Sequence, residues 1–263
     1  MTKTDITLDL LQYQVISAIF SRSIGHELAL KGGFALRALF GSERSTKDID
    51  LQQDGREYDL RRLQKIMRAS IKDALNTGLL KEISITEPKQ TDTVARWKII
   101  GKTNNRSGIH LTIEVSRRGM PPANYLTIRP FADPSKSRIS PLVLTYNQDA
   151  LIASKIYAFL SETRMAARDL YDIDILIRMK AVPPAEMIQS LKKKGVVEKI
   201  YRKLEMITWE IFRADVLPYL PEGAASRFTE KVFEEMRLIA GETLSKWLIP
   251  SVPDNKTNHS RQL

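Results

Sequence analysis

Cysteine is absent from this chain of 263 residues, and histidine occurs only three times, as His26, His110 and His259. Without cysteine there is no disulfide framework, no thiolate zinc site and no cysteine nucleophile. Three scattered histidines also argue against an all-histidine metal site. A metal ion in this protein would therefore be held by carboxylate oxygens.

Long apolar runs are also missing, because none approaches the roughly 20 residues that a membrane-spanning helix requires. Asp5 and Asp9 stand near the N-terminus, where a signal peptide would be apolar. The chain is nevertheless 43% hydrophobic and 27% charged, which is enough apolar material for a sizeable core. We therefore expect a soluble, cytoplasmic protein with no membrane partner.

The charge that is present is mostly positive. Lysine and arginine together number 41 against 31 acidic residues, a formal net charge of +10, which favours an anionic partner such as nucleic acid or a nucleotide. Residues 89–140 alone carry ten basic and three acidic residues. A second basic cluster fits an anion-binding surface and a solvated helix face equally well. It comprises Lys192, Lys193, Lys194, Lys199, Arg202 and Lys203.

Apolar periodicity divides the chain into a mixed first half and a helical second half. In the first half it predicts helices at 8–24, 34–40 and 57–75 and strands at 28–31, 48–52, 81–86, 94–101, 109–116, 125–128 and 142–146. In the second half it predicts only helices, at 149–162, 165–179, 185–193, 197–213 and 227–248. This order indicates an α+β fold, with a mixed-sheet domain and flanking helices over residues 1–147 and a helical domain over 148–250. Residues 251–263 have little to bury, and we predict a disordered tail there.

The segment 31–50 carries the most specific chemical signal. Gly32 and Gly33 end a short strand and begin a helix, so unshielded backbone N–H groups at the positive end of a helix can hold a phosphate. Asp48 and Asp50 alternate along the next strand and so project from one face of it. Two carboxylates in this arrangement suit a hard divalent cation, Mg²⁺ or Mn²⁺. Taken separately, the glycine pair also fits an ordinary turn, and the two acids fit a solvated strand end.

In combination, these residues resemble a known motif. The likeness is carried by Lys31-Gly32-Gly33, Arg44-Ser45-Thr46 and Asp48-Ile49-Asp50. They look like the first motif of the DNA polymerase β type nucleotidyltransferase superfamily and, in detail, of the AbiEii/AbiGii toxin family, which includes the MenT toxins. The resemblance covers residues 28–180 and continues through Lys155 and Arg168-Asp169-Leu170-Tyr171-Asp172.

The resemblance implies a nucleotidyltransferase fold whose C-terminal helices complete the active site. It implies an enzyme of a toxin–antitoxin system that transfers a nucleoside monophosphate from an NTP to RNA, above all to the 3′ end of tRNA, and so blocks translation. Mg²⁺ or Mn²⁺ as cofactor and a cognate antitoxin protein as partner belong to the same expectation.

Glu114 is a candidate for a third carboxylate at the metal. The strand predicted at 109–116 alternates apolar and polar side chains, so Glu114 projects from its polar face. In the superfamily, a third acid on a neighbouring strand completes the metal site, and the resemblance gives Glu114 this role. The plain alternative is an exposed strand glutamate that pairs with Arg117 or Arg118.

Two charged residues lie on otherwise apolar helix stripes. Lys155 lies three residues after Ile152 and four before Phe159, and Asp169 shares a stripe with Asp172. A lysine that faces inward normally meets an anion. We expect Lys155 to hold the triphosphate and Asp169 to orient Lys155 or the nucleotide. A buried Lys155–Asp169 ion pair without a catalytic role fits the same pattern.

The expected site has three parts. The catalytic candidates are Asp48, Asp50, Lys155 and Asp169, and the metal ligands are Asp48, Asp50 and Glu114. The nucleotide would be held by Lys31, Gly32, Gly33, Arg44, Ser45, Thr46 and Lys155. The RNA would be held by Arg96, Lys98, Lys102, Arg106, Arg117 and Arg118, so its affinity should fall steeply with salt.

Two other functions remain open. The same fold could transfer a nucleotide to a protein or to a small molecule such as an aminoglycoside, although the basic balance argues against a cationic acceptor. The other function is that of a non-catalytic nucleic-acid-binding module. It is disfavoured because all the acids and the lysine of the expected site are present, namely Asp48, Asp50, Glu114 and Lys155.

Overall fold

The computed structural model describes residues 3–22, 24–132, 141–162 and 167–249. Its helices in these ranges are α1 Lys3–Phe20, α2 Gly32–Phe40, α3 Leu60–Leu75, α4 Gln148–Phe159, α5 Ala167–Arg178, α6 Ala185–Ile188, α7 Val196–Met206, α8 Trp209–Asp215, α9 Glu222–Ala225 and α10 Glu230–Leu248. Its strands are β1 Ala29–Lys31, β2 Asp48–Gln52, β3 Lys81–Gln90, β4 Val94–Lys102, β5 Gly108–Ser116, β6 Leu126–Pro130 and β7 Leu142–Tyr146. The tail predicted at 251–263 lies outside the described residues.

The strands form one mixed sheet in the order β3-β4-β5-β2-β1-β7-β6. The strand with the two aspartates, β2, is central; it runs antiparallel to β1 and parallel to β5. β1 and β7 are also parallel, whereas the β3–β4, β4–β5 and β6–β7 pairs are antiparallel. A mixed sheet with flanking helices and a helical C-terminal part confirms the predicted α+β class. The division into two domains at residue 147 stays a prediction.

The two faces of the sheet differ in burial. One face of β4 and β5 belongs to the core, where Trp97, Ile99, Leu111 and Ile113 are at most 1% exposed, and α1 contacts β5 and α3. The alternate residues are exposed or half-buried; they are Arg96, Lys98, Ile100, His110, Thr112 and Glu114. Strand register sets these beside Asp48 and Asp50 on the same side. We refer to this side of β2, β4 and β5 as the open face.

Capping residues break the helical segments more often than the apolar pattern predicts. The single helix predicted at 197–213 is wrong: the structure has α7 and α8, because Thr208 is extended and caps α8 by accepting a hydrogen bond from Ile211 N at 3.4 Å. α10 begins after its cap Thr229 and not at 227. The helix predicted at 185–193 is one α-helical turn followed by the 3₁₀ turn Gln189–Leu191.

Aromatic side chains join the C-terminal helices. The ring of Phe212 in α8 lies 5.0 Å from that of Phe233 in α10 and 5.5 Å from that of Phe228. Tyr171 of α5 lies 5.9 Å from Phe228, so α5 is fixed against the helices that follow it. Within the described ranges, no helix has both the length and the apolar character needed to cross a membrane.

Candidate active site

A cavity of about 180 Å³ opens between the sheet and the helices α4 and α5. Lys31 and Gly32 line it from the junction of β1 and α2, Asp50 from β2, and Lys155 and Asp169 from the two helices. Three of the four catalytic candidates, one from the sheet and two from the helices, therefore meet at one cavity.

Four charged side chains form a row across the open face. Strand register sets Lys31 opposite Asp50, Asp50 opposite Glu114, and Glu114 opposite Arg96. Directly opposed residues on neighbouring strands project to the same side of a sheet. Asp48 lies two residues before Asp50 and shares its side. The three acids named from the sequence therefore share one face.

The carboxyl group of Asp50 is crowded by these neighbours. Burial raises its pKa, and the charges of Asp48 and Glu114 raise it further, whereas Lys31 and Lys155 act in the opposite direction. Burial also lowers the pKa of Lys31, against the pull of Asp50 and Glu114. A carboxylate held among other carboxylates gains from added positive charge, so the chemistry of this donor set fits a divalent cation.

Glu114 is paired with Arg96 and not with Arg117 or Arg118. The alternative of a strand glutamate in an ion pair therefore named the wrong arginines. Arg96 Nε donates to Glu114 Oε2 at 2.9 Å, and Arg96 Nη2 makes a second contact. In the part of the chain that the structure describes, no group of three acidic or histidine side chains stands ready to hold a metal ion. The role of Glu114 as a third ligand stays a prediction, and it requires Glu114 to leave Arg96.

Each glycine of the Gly32-Gly33 pair makes room for a specific neighbour. Gly32 has a φ of +73°, and a Cβ there would lie 2.3 Å from Asp50 Oδ2. A Cβ on Gly33 would lie 2.7 Å from Arg44 Nη2. At the start of α2, the cap residue Lys31 makes no side-chain hydrogen bond to the first turn, which leaves those N–H groups available to an anion. The pair thus makes room for Asp50 and Arg44, and its contact with a phosphate stays a prediction.

A buried ion network lies behind the cavity. Asp172 accepts hydrogen bonds from Arg44 Nε at 3.0 Å and Arg44 Nη2 at 2.8 Å, and Lys155 Nζ lies 2.6 Å from Asp172 Oδ2. Lys155 Nζ also donates to Asp169 Oδ1 at 3.2 Å. All four side chains are at most 11% exposed. The expected Lys155–Asp169 ion pair is present, but Asp172 is the centre of the network.

Three members of the network, Arg44, Lys155 and Asp172, favour their charged forms. Burial alone would lower the pKa values of Lys155 and Arg44, but Asp172 and then Asp169 outweigh it, and both pKa values are raised. Burial alone would raise the pKa of Asp172, but Lys155 and Arg44 outweigh it, and this pKa is lowered. Lys155 is therefore a fixed cation in the wall of the cavity.

Distant segments fix the loop that precedes Asp48. Ser45 donates to the carbonyl of Tyr219 twice, from its backbone N at 2.7 Å and from Oγ at 3.0 Å. Gln12 Nε2 of α1 donates to the Thr46 carbonyl at 3.0 Å. Ser45 and Thr46 are at most 8% exposed, so the contacts expected between their hydroxyls and phosphate require the loop to move.

The cations expected to bind RNA divide into surface and interior residues. Arg96, Lys98 and Lys102 alternate along β4 and project from the open face, and Arg106 and Arg118 are exposed. Arg117, in contrast, does not lie on this surface.

Arg117 is a correction to the sequence-based set because its side chain points into the protein. It is 4% exposed, donates from Nε to Gln53 Oε1 at 3.0 Å, and contacts the Tyr58 carbonyl through Nη2. Arg117 follows the end of β5, and its alternation places it opposite to Glu114 and Ser116. Through its contacts with Gln53 and Tyr58, Arg117 connects the end of β5 to the segment after β2.

A family model for the nucleotidyl transferase AbiEii toxin of type IV toxin–antitoxin systems matches residues 15–240. The chain belongs to the AbiEii toxin family. It is a nucleotidyltransferase toxin of a toxin–antitoxin system, which confirms the resemblance carried by the sequence motifs, and membership implies an NTP substrate and an antitoxin partner. No curated protein matches the chain.

Solved structures share the fold of this AbiEii protein. JHP933 from Helicobacter pylori is 16% identical, with a TM-score of 0.64 over 94% of this chain and 93% of that one. MenT4, a nucleotidyltransferase toxin from Mycobacterium tuberculosis, is 13% identical, with a TM-score of 0.52 over 94% of each chain. At these identities the likeness concerns the fold alone, and it extends over nearly the whole chain.

Sequence reasoning assigned no role to three residues that hold the AbiEii site together. Asp172 lies in the recognised motif and on a helix stripe, yet nothing local distinguishes it from Asp169 as the main partner of Lys155. Gln12 is fully buried in α1, and its only sequence signal is a polar residue four positions after Leu8 on an apolar stripe. Tyr219 acts through its carbonyl, which no side-chain pattern reveals.

Proposed function

We propose that this AbiEii protein transfers a nucleoside monophosphate from an NTP to the 3′ end of an RNA, with tRNA as the acceptor. The observation that carries the proposal is the position of Asp50. It lines the cavity together with Lys155, and it also lies, with Asp48, on the open face, where Lys98 is an exposed cation and Arg96 and Lys102 are paired with Glu114 and Glu82. A triphosphate fits the first surface, and a polyanionic acceptor fits the second.

The cavity places groups that bind phosphate beside the carboxylates of Asp50 and Asp169. Lys31 and Lys155 contribute cations, and the start of α2 at Gly32 contributes backbone N–H groups. Arg44 is bound to Asp172, so in this proposal it acts by fixing Asp172 and, through it, Lys155. Asp169 orients Lys155 from the other side.

Asp48 and Asp50 would hold a divalent metal ion, Mg²⁺ or Mn²⁺, with Glu114 as a third ligand after its release by Arg96. When bound, the ion would offset the charge of the triphosphate and lower the pKa of the acceptor hydroxyl. Two neighbours act on Asp50 itself. The charge of Lys31 opposes the rise in the pKa of Asp50, and Gly32, which has no side chain, leaves room for the Asp50 carboxylate.

The transfer joins the acceptor oxygen to the α-phosphorus and breaks the bond to the β-phosphate, with the hydroxyl proton passing to water and pyrophosphate leaving. Such reactions depend on alignment and on neutralisation of negative charge. Lys155 is held in place by Asp169 and Asp172 before any substrate binds. It can therefore stabilise charge on the leaving pyrophosphate without reorganisation.

The open face favours a polyanionic acceptor over the small-molecule alternative. Arg96, Lys98 and Lys102 follow one another along β4, with Asp48 and Asp50 two strands away in the sheet order. An RNA that crosses this face would be held by its phosphates and would bring its 3′ end to the acids.

The test is incubation with each α-labelled NTP, Mg²⁺ and total tRNA. We expect label in tRNA with the wild type and background levels with Asp48→Ala and Asp50→Ala, whereas Glu235→Ala, a variant of an exposed acid on α10, should match the wild type. Label in RNA that survives both aspartate substitutions would remove the site assignment. Label that appears only in protein would replace RNA as the acceptor.

A further inference from the structure

Two cations beside the catalytic acids have no carboxylate partner among the described residues. Lys47 directly precedes Asp48, and Arg168 directly precedes Asp169. Both lie against a single aromatic ring, since Lys47 Nζ is 5.5 Å and Arg168 Cζ is 5.4 Å from the ring centre of Tyr219. Together these three residues form the Tyr219 cluster.

The charge of the Tyr219 cluster differs from that of its surroundings. The nearby cations Arg44 and Lys155 share Asp172, and Arg96 is bound to Glu114. Contact with an aromatic face offsets part of the charge of a cation but does not neutralise it. The cluster therefore presents two positive charges that the described residues do not balance, next to the acids of the proposed site.

The position of the cluster is fixed by the main chain. Ser45, two residues before Lys47, is bound twice to the carbonyl of Tyr219. Tyr219 and Arg168 are half-buried, whereas Lys47 is exposed. A ligand would therefore meet a ring and a guanidinium that are already ordered, with only the Lys47 side chain left to arrange.

The cluster adjoins the cavity but does not line it. The cavity walls come from residues such as Lys31, Gly32 and Lys155, and none of the three cluster residues belongs to them. The cluster meets the site instead through its chain neighbours Asp48 and Asp169. A phosphate bound at the cluster would thus lie outside the space that suits the triphosphate, beside the chain segments that carry Asp48 and Asp169.

We propose that the Tyr219 cluster binds a phosphodiester group of the acceptor RNA close to its 3′ end. This inference rests on the proposed function and deepens it by naming where the acceptor strand is held. Arg168 offers a planar fork of donors to the phosphate oxygens and Lys47 a mobile ammonium. The Tyr219 ring keeps the two cations together, and a half-buried aromatic ring can also contact a ribose or a base.

The test measures RNA binding without transfer. The probe is a 5′-labelled oligoribonucleotide with a free 3′ hydroxyl, followed by fluorescence anisotropy over a range of salt concentrations. We expect Lys47→Gln and Arg168→Gln each to weaken affinity about 3- to 10-fold. The slope of log affinity against log salt should fall by about 0.7 for each lost phosphate contact. Lys231→Gln is the matched control, because Lys231 is 87% exposed on α10, and it should change neither quantity.

Two further measurements separate binding from folding and from nucleotide recognition. Tyr219→Phe keeps the ring and the carbonyl that holds Ser45, so RNA affinity should stay at the wild-type level, whereas Tyr219→Leu should weaken it. Unfolding midpoints of the glutamine variants should stay close to the wild type, and so should NTP affinity by calorimetry, because the cluster lies outside the cavity.

Wild-type RNA affinity and salt slope in the Lys47→Gln, Arg168→Gln double variant would overturn the proposal. A loss of NTP affinity with RNA affinity unchanged would also overturn the proposal, because it would show that the cluster binds the nucleotide and not the RNA. If the wild type labelled no RNA in the transfer assay, the proposed function would fail, but the anisotropy result would still decide whether the cluster holds an RNA phosphate.

Discussion

Position 32 favours glycine for two reasons, the backbone angle and the space that the site needs. Its φ of +73° lies in the region that glycine adopts at least cost, and its missing side chain leaves the space that Asp50 Oδ2 occupies. Gly41 has nearly the same backbone angle, with a φ of +78°, but no atom of the described residues beyond its own stretch of chain lies within 4 Å of where its Cβ would be. The two glycines therefore allow the backbone effect to be separated from the effect on the carboxylate.

We expect Gly32→Ala to abolish nucleotidyl transfer and Gly41→Ala to leave most of it. Both substitutions add a left-handed alanine, which costs about 1–2 kcal/mol of stability, but only Gly32→Ala displaces Asp50. Initial rates with a labelled NTP, measured beside urea unfolding of both variants, make the comparison. Equal activity of the two variants would show that Asp50 does not need the position described here.

Asp54 should remain ionised in unusually acidic solution. Arg56 donates to its two carboxylate oxygens at 3.1 and 2.6 Å and from its backbone N at 2.9 Å, and these bonds lower the pKa of Asp54 to about 2. Because the pKa in the folded state is below the usual value of about 3.9, the contribution to stability is present above that value and is lost as the pH falls towards 2. Carboxyl ¹³C NMR should show this titration, and Arg56→Gln, which removes the two side-chain bonds but keeps the backbone bond, should raise the pKa of Asp54 part of the way back towards its ordinary value.

At the scale of the element, α4 depends on its cap to present Lys155. Asn147 caps the helix by accepting a hydrogen bond from Ala150 N at 2.9 Å. Asn147→Ala should lower the free energy of unfolding by about 1 kcal/mol. Asn147→Asp keeps the acceptor and adds a negative charge that suits a helix N-terminus. It gives up the bond from Nδ2 to the Asn124 carbonyl at 3.2 Å, as Asn147→Ala also does, so its loss of stability should be the smaller of the two. Urea unfolding of both variants tests this order, and an equal loss would mean that the cap bond contributes little.

The local pattern of apolar and polar residues was enough to predict most helices and strands. It failed where the apolar spacing of one helix ran on into the next. The alternation of Asp48 to Leu51 predicts β2 correctly, because its apolar side chains face the core and its acids do not. The break between α7 and α8 was missed because apolar residues continue at helical spacing through Ile207 and Trp209, so only the cap Thr208 marks it. β3 reaches Gln90, beyond the predicted end, because its length is set by pairing with β4 and its exposed residues show no alternation.

The site was predictable where chemistry follows strand or helix geometry. The shared face of Asp48, Asp50 and Glu114 follows from alternation, and the meeting of Lys155 with Asp169 follows from two inward-facing charges. The link between Arg44 and Asp172 was not predictable, because 128 positions separate the two residues and no local pattern sets their distance.

At the scale of the whole molecule, Asp172 connects the loop before β2 to the C-terminal helices. Arg44 comes from that loop and Lys155 from α4, and both depend on this one carboxylate. Removing one member of a buried charge group leaves the others unbalanced, which is strongly destabilising. The stability of both parts should therefore respond together to a change at Asp172.

We expect Asp172→Asn to lower the free energy of unfolding by about 3–5 kcal/mol. Asp174→Asn is the matched control on the same helix: Asp174 is also buried, but its one ion-pair partner among the described residues, Arg178, is 59% exposed. Burial raises the pKa of Asp174, so a neutral amide is tolerated better there and the loss of stability should be only about 0–1 kcal/mol. Urea unfolding followed by tryptophan fluorescence and by circular dichroism measures both. Similar losses for the two variants would contradict the central place of Asp172.

The loop before Asp48 is held by residues that come much later in the chain, first Asp172 and then Tyr219. A chain leaves the ribosome from its N-terminus and folds as its parts appear. Strand β2 and its two aspartates are therefore synthesised long before the partners that fix the loop in front of them. A growing chain that ends before Tyr219 lacks these restraints, so the order of synthesis itself delays the completed site until Tyr219 and its neighbours have been made.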